Sequence, residues 1–270
     1  MYHRPKKSLG QNFLIDGNLQ RKIVGALRLE LEDEVLEIGP GRGALTRHMV
    51  GECSSLILVE LDRELAGRLE ADFRDSPGVR VVNGDILKFP LDSLSQEPSS
   101  LKVVGNIPYN ITSPILFHLL RRPRPREIIL MVQKEVGERV LAESGGSAFG
   151  ALTVGVRSVA NVERVVTVPS SAFRPRPAVD SVVLRIEPFR PEPLELHEEE
   201  ALRTLTRAAF QQRRKQFQTI LRGHPSWGVS REQIAGLEEG TGFDLRRRPE
   251  TFSPADFIAL SRALQELQDS

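Results

Sequence analysis

Five short apolar runs, separated by segments of helical periodicity, constrain the fold of this chain most strongly. Each run has the length and composition of a buried strand. The runs are EVLEI (34–38), SLILVE (55–60), VRVVNG (79–84), LKVVGN (101–106) and EIILMV (127–132). Because strands that alternate with helices form βαβ units, the sequence predicts an α/β domain with a mainly parallel sheet.

Three further elements extend this domain. Asp16 is a suitable N-cap for a helix that reaches about Leu27, because apolar residues follow it at helical spacing. The runs ERVVTV (163–168) and DSVVLRI (180–186) are too close together for a crossover helix. We therefore expect these two strands to pair antiparallel at the end of the sheet.

The last part of the chain has a different pattern. After the proline-rich segment EPFRPEPLE (187–195), the sequence is helical from about Leu194 to the end. A length of 270 residues suits one large domain with a smaller one. We predict an α/β domain over residues 1–190 and an all-helical domain over residues 191–270.

Composition excludes some classes of protein. The sequence has no long apolar run, and its start lacks the apolar stretch of a signal peptide. Cys53 is the single cysteine, as in many proteins of reducing compartments. We therefore expect a cytoplasmic protein without a membrane partner. The five histidines lack the spacing of metal ligands, so no metal site is expected.

Charge is balanced overall but unevenly distributed. The chain has 37 Lys and Arg against 36 Asp and Glu. Basic clusters occur near the start and at 121–126, 174–177, 211–215 and 246–248. Each cluster alone is compatible with a solvated surface, whereas several on one face would form a nucleic-acid groove.

A glycine-rich turn follows the first of the five strands. Gly39, Gly41 and Gly43 allow a tight turn and the close approach of a ligand, a pattern found in dehydrogenases, flavoproteins and methyltransferases. Glu60 ends the next strand, where a carboxylate can accept ribose hydroxyls, and Asp85 ends the third. Either acid alone is also compatible with a strand-end cap. The G-x-G-x-G spacing after Glu37 favours S-adenosylmethionine over a dinucleotide.

The fourth strand ends in Asn106-Ile107-Pro108-Tyr109. This motif has no carboxylate, histidine or cysteine to move a proton. An amide oxygen and backbone carbonyls can accept hydrogen bonds from an exocyclic amine, and a tyrosine ring can stack on a base. A methyl transfer to an adenine amine fits this set, although a strand-to-loop turn with a buried tyrosine is an equal alternative from the motif alone.

Taken together, the motifs resemble successive blocks of the ribosomal RNA adenine dimethyltransferase family. The blocks are KKSLGQNFLID (6–16), LEIGPGRGALT (36–46), VELD (59–62), NGDI (83–86), GNIPYNITSPI (105–115), LMVQKEVGERV (130–140), SSAFRPRPAVDSVV (170–183) and AFQQRRKQF (209–217). The resemblance implies a Rossmann-like methyltransferase sheet, a helical rRNA-binding domain and S-adenosylmethionine as cofactor. It is strongest to the family members that dimethylate two adjacent adenosines near the 3′ end of 16S rRNA in the immature small subunit, and a monomer is expected.

The resemblance also implies roles for individual residues. The cofactor-binding positions are Gln11, Asn12, Leu14, Gly39, Gly41, Glu60, Asp85 and Asn106. Asn106 and Pro108 match the catalytic motif, Tyr109 matches the stacking aromatic, and Phe173 resembles a second aromatic that covers the flipped base. Without the resemblance, a plain hydrophobic role would be the better interpretation of Phe173.

The helical domain departs from the family pattern. Arg213, Arg214 and Lys215 match its RNA-binding positions, but Gln216-Phe217-Gln218 replaces the usual Thr-Leu-Arg. Three other functions compete with the main interpretation: methylation of 23S rRNA, a nucleic-acid-binding platform without catalysis, and a nicotinamide dehydrogenase. The QRRK segment (212–215) disfavours the first, the intact Asn-Ile-Pro-Tyr motif the second, and the glycine spacing the third.

Overall fold

The computed structural model describes residue 6, residues 10–108 and residues 111–269. In this part of the chain, seven strands form a mixed sheet of order β4-β3-β2-β5-β6-β9-β7, and two short strands form a separate ladder, β1-β8. The strands are Phe13–Leu14 (β1), Glu34–Ile38 (β2), Ser55–Glu60 (β3), Val79–Asn83 (β4), Lys102–Asn106 (β5), Glu127–Gln133 (β6), Ala160–Val168 (β7), Phe173–Arg174 (β8) and Ser181–Pro188 (β9).

Helices connect the parallel strands and make up the end of the chain. They are Gly17–Ala26 (α1), Arg63–Asp72 (α2), Leu91–Leu94 (α3), Thr112–Leu119 (α4), Lys134–Leu141 (α5), Ala151–Arg157 (α6), Leu196–Gln211 (α7), Phe217–Gly223 (α8), Arg231–Thr241 (α9) and Pro254–Asp269 (α10). Within the described residues, no helix combines the length and the apolar character that a membrane crossing requires.

The predicted α/β architecture is confirmed. Strands β2 to β6 pair in parallel, and β9 lies between β6 and β7 and runs antiparallel to β6. The carboxylate of Asp16 accepts hydrogen bonds from the backbone N–H groups of Asn18 and Leu19, which caps α1 as expected. These strands are readable from sequence because strands buried on both faces need continuous apolar runs.

Strand order reverses at β2, since β3 and β4 lie on one side of it and β5 and β6 lie on the other. Open α/β sheets bind ligands at the carboxyl ends of the two strands that flank such a reversal. Ile38 at the end of β2 lies opposite Gly105 in β5. The glycine-rich turn and the Asn106 motif therefore leave the sheet side by side.

The chain divides into two compact units, and this division differs from the predicted boundary. The first unit contains residues up to Gly137 together with Asn161–Pro188, and the second contains Glu138–Ala160 with the chain from Phe189 onward. The sequence predicted a single boundary near residue 190. Residues 138–160 instead belong with the helical tail, because α6 packs against α7 and α10.

Aromatic residues form much of the core of the second unit. Phe210 stacks on Phe257 with ring centroids 5.6 Å apart, and it contacts Phe149 at 6.1 Å. Phe217 packs edge-on against Phe252 at 5.2 Å. Since Phe149 belongs to the 138–160 segment and is fully buried, this segment is part of the second unit's core.

Candidate active site

A cavity opens at the carboxyl edge of the sheet in the first unit, at the strand reversal. Its wall contains the glycine-rich turn after β2, the ends of β3, β4 and β5, and the segment that includes β1. Of the residues predicted to bind the cofactor, all eight line this cavity: Gln11, Asn12, Leu14, Gly39, Gly41, Glu60, Asp85 and Asn106.

The glycine-rich turn depends on backbone conformations that favour glycine. Gly39 and Gly41 have φ angles of +67° and +60°. A Cβ on Gly41 would lie 3.1 Å from the Phe13 ring, which covers the turn. At Gly39 and Gly41 the turn therefore presents backbone without a side chain to the cavity, which leaves room for a bound ligand.

Glu60 lies at the end of β3 and is buried. Its Oε2 accepts a hydrogen bond from Gly41 N at 2.9 Å, and its Oε1 accepts one from Asp62 N at 2.8 Å. Burial raises the pKa of Glu60, and these two hydrogen bonds oppose part of that effect. Each carboxylate oxygen keeps a lone pair for a ribose hydroxyl.

Asp85 lies after β4, where it caps a helix and is predicted to bind the cofactor. Its Oδ1 accepts a hydrogen bond from Leu87 N at 3.0 Å and caps a short 3-10 helix, Ile86–Lys88. The cap uses one carboxylate oxygen, so the second remains available to an amino group in the cavity. The cap interpretation and the ligand interpretation are thus compatible.

Two apolar residues of the wall were not predicted from the sequence. Leu61 follows Glu60, Ile86 follows Asp85, and both line the cavity. Leu61 is 47% exposed, unusual for a leucine next to a buried strand. Apolar side chains beside the two acids are suited to a flat heterocycle whose polar edges the acids bind. The signal in the sequence is that each strand-end acid is followed by an apolar residue.

The segment that contains β1 is attached to the sheet through Asp62. Gln11 Nε2 donates to Asp62 Oδ2 at 2.9 Å, and Lys6 Nζ lies 2.8 Å from Asp62 Oδ1. Desolvation opposes ionisation of this buried carboxyl, but the hydrogen bonds from Lys6, Gln11 and Glu64 N hold the pKa of Asp62 below its usual value. Asp62 therefore remains an anion that anchors Gln11 at the cavity.

Asn106 joins the same segment to the end of β5. Its Nδ2 donates to the backbone carbonyl of Asn12 at 3.0 Å. Because that carbonyl can only accept, the amide NH₂ must face it, and the Oδ1 must face away from it. Within the described part of the chain, no donor binds this Oδ1. An acceptor oxygen is therefore available at the strand end.

Two backbone carbonyls follow Asn106, and among the described residues only one of them accepts a hydrogen bond. The Pro108 carbonyl accepts from Ile111 N at 3.3 Å, whereas the Ile107 carbonyl has no donor among the described residues. Ile107 therefore offers the backbone acceptor that was expected before or at Pro108. Pro108 lines the cavity. Tyr109 lies outside the described residues.

The structure does not bring Phe173 to the cavity. Its side chain is 2% exposed and packs in the hydrophobic core, and Leu14 lies opposite it in the β1-β8 ladder. Phe173 therefore does not line the cofactor cavity, and its role over a target base stays a prediction. Its position depends on a pairing between distant segments that the local sequence does not reveal.

Glu37 is a second buried acid in the wall. Thr46 Oγ1 donates to its Oε2 at 2.6 Å. Burial raises the pKa of Glu37 to about 8, although the Thr46 hydrogen bond opposes the shift, and the nearby Glu60 carboxylate adds to it. Glu37 is consequently mostly protonated near neutral pH.

The three basic residues of the second unit are not equivalent. Arg213 donates to the backbone carbonyl of Ser147 at 2.8 Å, which ties the exposed 143–148 loop to the end of α7. Arg214 and Lys215 are exposed and have no ion pair among the described residues. Two of the three predicted RNA contacts are therefore free to bind a phosphate, while Arg213 also has a structural role.

The donors and acceptors of the cavity fit S-adenosylmethionine. The glycine-rich turn lets the cofactor approach the backbone, and the buried acid beside it has lone pairs for the ribose. The second acid, next to apolar residues, suits the adenine. The amide oxygen lies where the reactive group would be. Gly41 and Glu60 would hold the ribose side, Asp85 the adenine, and Asn106 the region of the reactive group.

Comparison with known proteins gives consistent results. The family model for ribosomal RNA adenine dimethylase matches residues 2–258. The ribosomal RNA small subunit methyltransferase A of Moorella thermoacetica is 43% identical, over 97% of this chain and 93% of that protein. The protein of the same name from Thermosynechococcus vestitus is 41% identical, over 99% of both.

Two solved structures share the fold of this chain. A dimethyladenosine transferase from Plasmodium falciparum superposes with a TM-score of 0.77 at 26% identity, over 95% of this chain and 98% of that one. The 23S rRNA methyltransferase ErmE superposes with a TM-score of 0.72 at 26% identity, over 94% and 99%. The match to the family model and the identities above 40% along nearly the whole chain show that this protein belongs to the ribosomal RNA adenine dimethylase family.

Proposed function

We propose that the protein dimethylates the exocyclic amines of two adjacent adenosines near the 3′ end of 16S rRNA, with S-adenosylmethionine as methyl donor. The observation that carries the proposal is Asn106, whose amide oxygen lies at the strand reversal in the cofactor cavity and accepts no hydrogen bond from the described residues. The relatives at 43% and 41% identity are named for the small subunit, whereas the 23S enzyme is 26% identical, which favours the small-subunit substrate.

The residues of this chain act by positioning and electrostatics. When bound, S-adenosylmethionine supplies an electrophilic methyl group on a sulfonium, so no acid is needed to release it. The Asn106 amide oxygen and the Ile107 carbonyl accept hydrogen bonds from the target amine, which returns electron density to its nitrogen. Fixed acceptors of this kind stabilise the charge that develops on the nitrogen without reorganisation.

Orientation of the target amine toward the methyl group lowers the barrier further. Near-attack geometry supplies several kcal/mol of a barrier when two reactants are held in line, about 7–11 kcal/mol in the best cases. Asn106 is itself fixed by its hydrogen bond to the Asn12 carbonyl. The Tyr109 ring face is proposed to stack on the target base, which is worth about 1–3 kcal/mol.

The second unit is proposed to bind rRNA through Arg214 and Lys215, with Arg213 holding the adjacent loop. We further propose that the substrate is an immature small ribosomal subunit in the cytoplasm and that the protein acts as a monomer. Balanced total charge supports a localised RNA contact rather than a general affinity for polyanions.

The decisive test is incubation with labelled S-adenosylmethionine and, in parallel reactions, with unmodified small subunits and unmodified large subunits. Mapping of modified nucleotides is expected to find N6,N6-dimethyladenosine at two adjacent positions near the 3′ end of 16S rRNA. Label in 23S rRNA instead would favour the alternative that the fold similarity to ErmE suggests. Label in neither RNA would contradict the proposal.

A further inference from the structure

Arginines gather around the Phe13 ring at the edge of the cavity. Arg42, in the glycine-rich turn, lies with its guanidinium carbon 4.3 Å from the centroid of that ring. Arg174 lies directly opposite Phe13 in the antiparallel β1-β8 ladder. Residues opposite each other in such a ladder have Cβ atoms about 4.5–5.5 Å apart. Arg174 is therefore also a neighbour of Phe13.

The alternation of side chains in the ladder places Arg174 on the same side as Phe13. Leu14 and Phe173 form the other opposed pair, and both belong to the hydrophobic core. Because successive side chains in a strand point to opposite faces, Phe13 and Arg174 share the face away from this core. Phe13 on that face covers Gly41, so Arg174 lies beside the glycine-rich turn.

A third arginine continues this surface two residues later. Arg176 donates from Nε to Ser170 Oγ at 3.0 Å, and Ser170 N in turn donates to Asp180 at 2.9 Å. These bonds fix the loop that carries Arg176 and leave its terminal nitrogens for another partner. Arg174 and Arg176 are both exposed, and neither forms a salt bridge with a carboxylate in the described part of the chain.

Arg174 and Arg176 add two exposed positive charges to this surface, and neither has a carboxylate ion-pair partner among the described residues, so the surface is suited to an anion. The cofactor is a poor candidate for that anion, since neither Arg174 nor Arg176 lines the cavity. Arg42 does line it, and it therefore connects the two regions. Guanidinium groups bind phosphate oxygens through paired N–H donors, which makes arginine well suited to a nucleic-acid backbone.

We propose that Arg42, Arg174 and Arg176, here called the arginine cluster, bind the ribose-phosphate backbone of the rRNA strand next to the target adenosine. The first unit would then make its own contact with the substrate strand, beside the site where the methyl group is transferred. This inference rests on the proposed function, because it assumes that the substrate is a single-stranded segment of rRNA.

The test is the double variant Arg174→Gln/Arg176→Gln, which leaves the cavity wall intact. Its Kd for an RNA oligonucleotide that contains the two target adenosines is expected to rise about tenfold near physiological salt. The slope of log affinity against log salt should fall by about 0.7 for each lost single-strand contact. Binding of S-adenosylmethionine, measured by calorimetry, should be unchanged because neither residue lines the cavity.

A matched control removes the same charge from the opposite edge of the sheet. Arg28 precedes β2 and Arg121 precedes β6, and both are exposed. Arg28→Gln/Arg121→Gln should leave RNA affinity and salt slope as in the wild type. If the wild type methylates rRNA but both double variants bind RNA equally well, the arginine cluster does not contact the backbone. If the wild type methylates no rRNA, the proposed function itself is wrong.

Discussion

At the residue scale, Glu60 has the clearest predicted role, which is to bind the ribose of the cofactor. It is buried, and backbone N–H groups of Gly41 and Asp62 hold its carboxylate at the cavity wall. Glu60→Ala should weaken S-adenosylmethionine binding more than tenfold, about 1.4 kcal/mol or more, because an oriented acceptor is lost. Glu70→Ala, at an exposed position of α2, is the control. Equal affinities of the two variants by calorimetry would exclude the ribose role.

Glu37 gives a prediction about pH. The pKa of Glu37 is raised from 4.5 to about 8 in the folded protein, chiefly by burial. Between these values the folded state holds a proton that the unfolded state releases, so the Glu37 contribution to stability falls as pH rises. The slope is at most about 1.4 kcal/mol per pH unit.

Glu37→Gln removes this contribution while it keeps an acceptor for Thr46. Chemical unfolding at several pH values should therefore show that the wild type loses stability relative to Glu37→Gln as pH rises toward 8. Glu32→Gln, at an exposed position, should follow the wild-type curve. Parallel curves for the wild type and Glu37→Gln would mean that Glu37 is ionised in the fold.

The sequence predicts the acids and the amide of the cavity well, because each one lies at or just after the end of a strand with a recognisable apolar run. Glu60, Asp85 and Asn106 reach one cavity since the carboxyl ends of parallel strands share an edge. Phe173 and Arg174 are different, because their positions depend on pairing with Leu14 and Phe13 far away in the chain. A ladder of two residues per strand has no periodicity by which to recognise it.

At the scale of elements, the glycine-rich turn is the most sensitive part of the site. Gly41 has φ +60°, and an added Cβ would meet the Phe13 ring at 3.1 Å. Gly41→Ala should destabilise the protein by about 1–3 kcal/mol and weaken cofactor binding, because the covering segment is displaced.

Gly67 provides the opposite case for the same substitution. It lies exposed within α2, where a Cβ would meet nothing within 4 Å. Gly67→Ala should stabilise the protein by about 0.5–1 kcal/mol and leave cofactor binding unchanged. If urea unfolding ranks the two variants the other way, the turn does not have the conformation described.

At the scale of the whole molecule, the sequence predicted two domains with one boundary near residue 190, whereas the compact units group residues 138–160 with the helical tail. The segment follows β6 directly along the chain, so its local pattern resembles a continuation of the α/β alternation. Its grouping is decided by tertiary contacts such as Phe149 with Phe210, which join residues far apart in sequence. Periodicity cannot report contacts of this kind.

The basic turn that follows α7 yields a prediction for RNA binding by the whole protein. Arg214→Gln/Lys215→Gln should lower rRNA affinity and reduce the salt slope by up to about 0.9 for each lost duplex phosphate contact. Arg213→Gln is an informative comparison, because it also releases the Ser147 carbonyl and should increase hydrogen exchange in the 143–148 loop. A salt slope that stays at the wild-type value in the double variant would show that Arg214 and Lys215 remain solvated.

Asn106 is proposed to promote methyl transfer by holding the target amine without a general base. The most direct measurement is the single-turnover rate of rRNA methylation by the wild type and by Asn106→Ala, at saturating cofactor and rRNA. The rate is predicted to fall about a hundredfold or more, roughly 2.7 kcal/mol, because an oriented acceptor is removed from the site. The wild-type rate is predicted to be flat between about pH 6 and 7, where the motif has no group that titrates. An Asn106→Ala rate within about threefold of the wild type would contradict the claim.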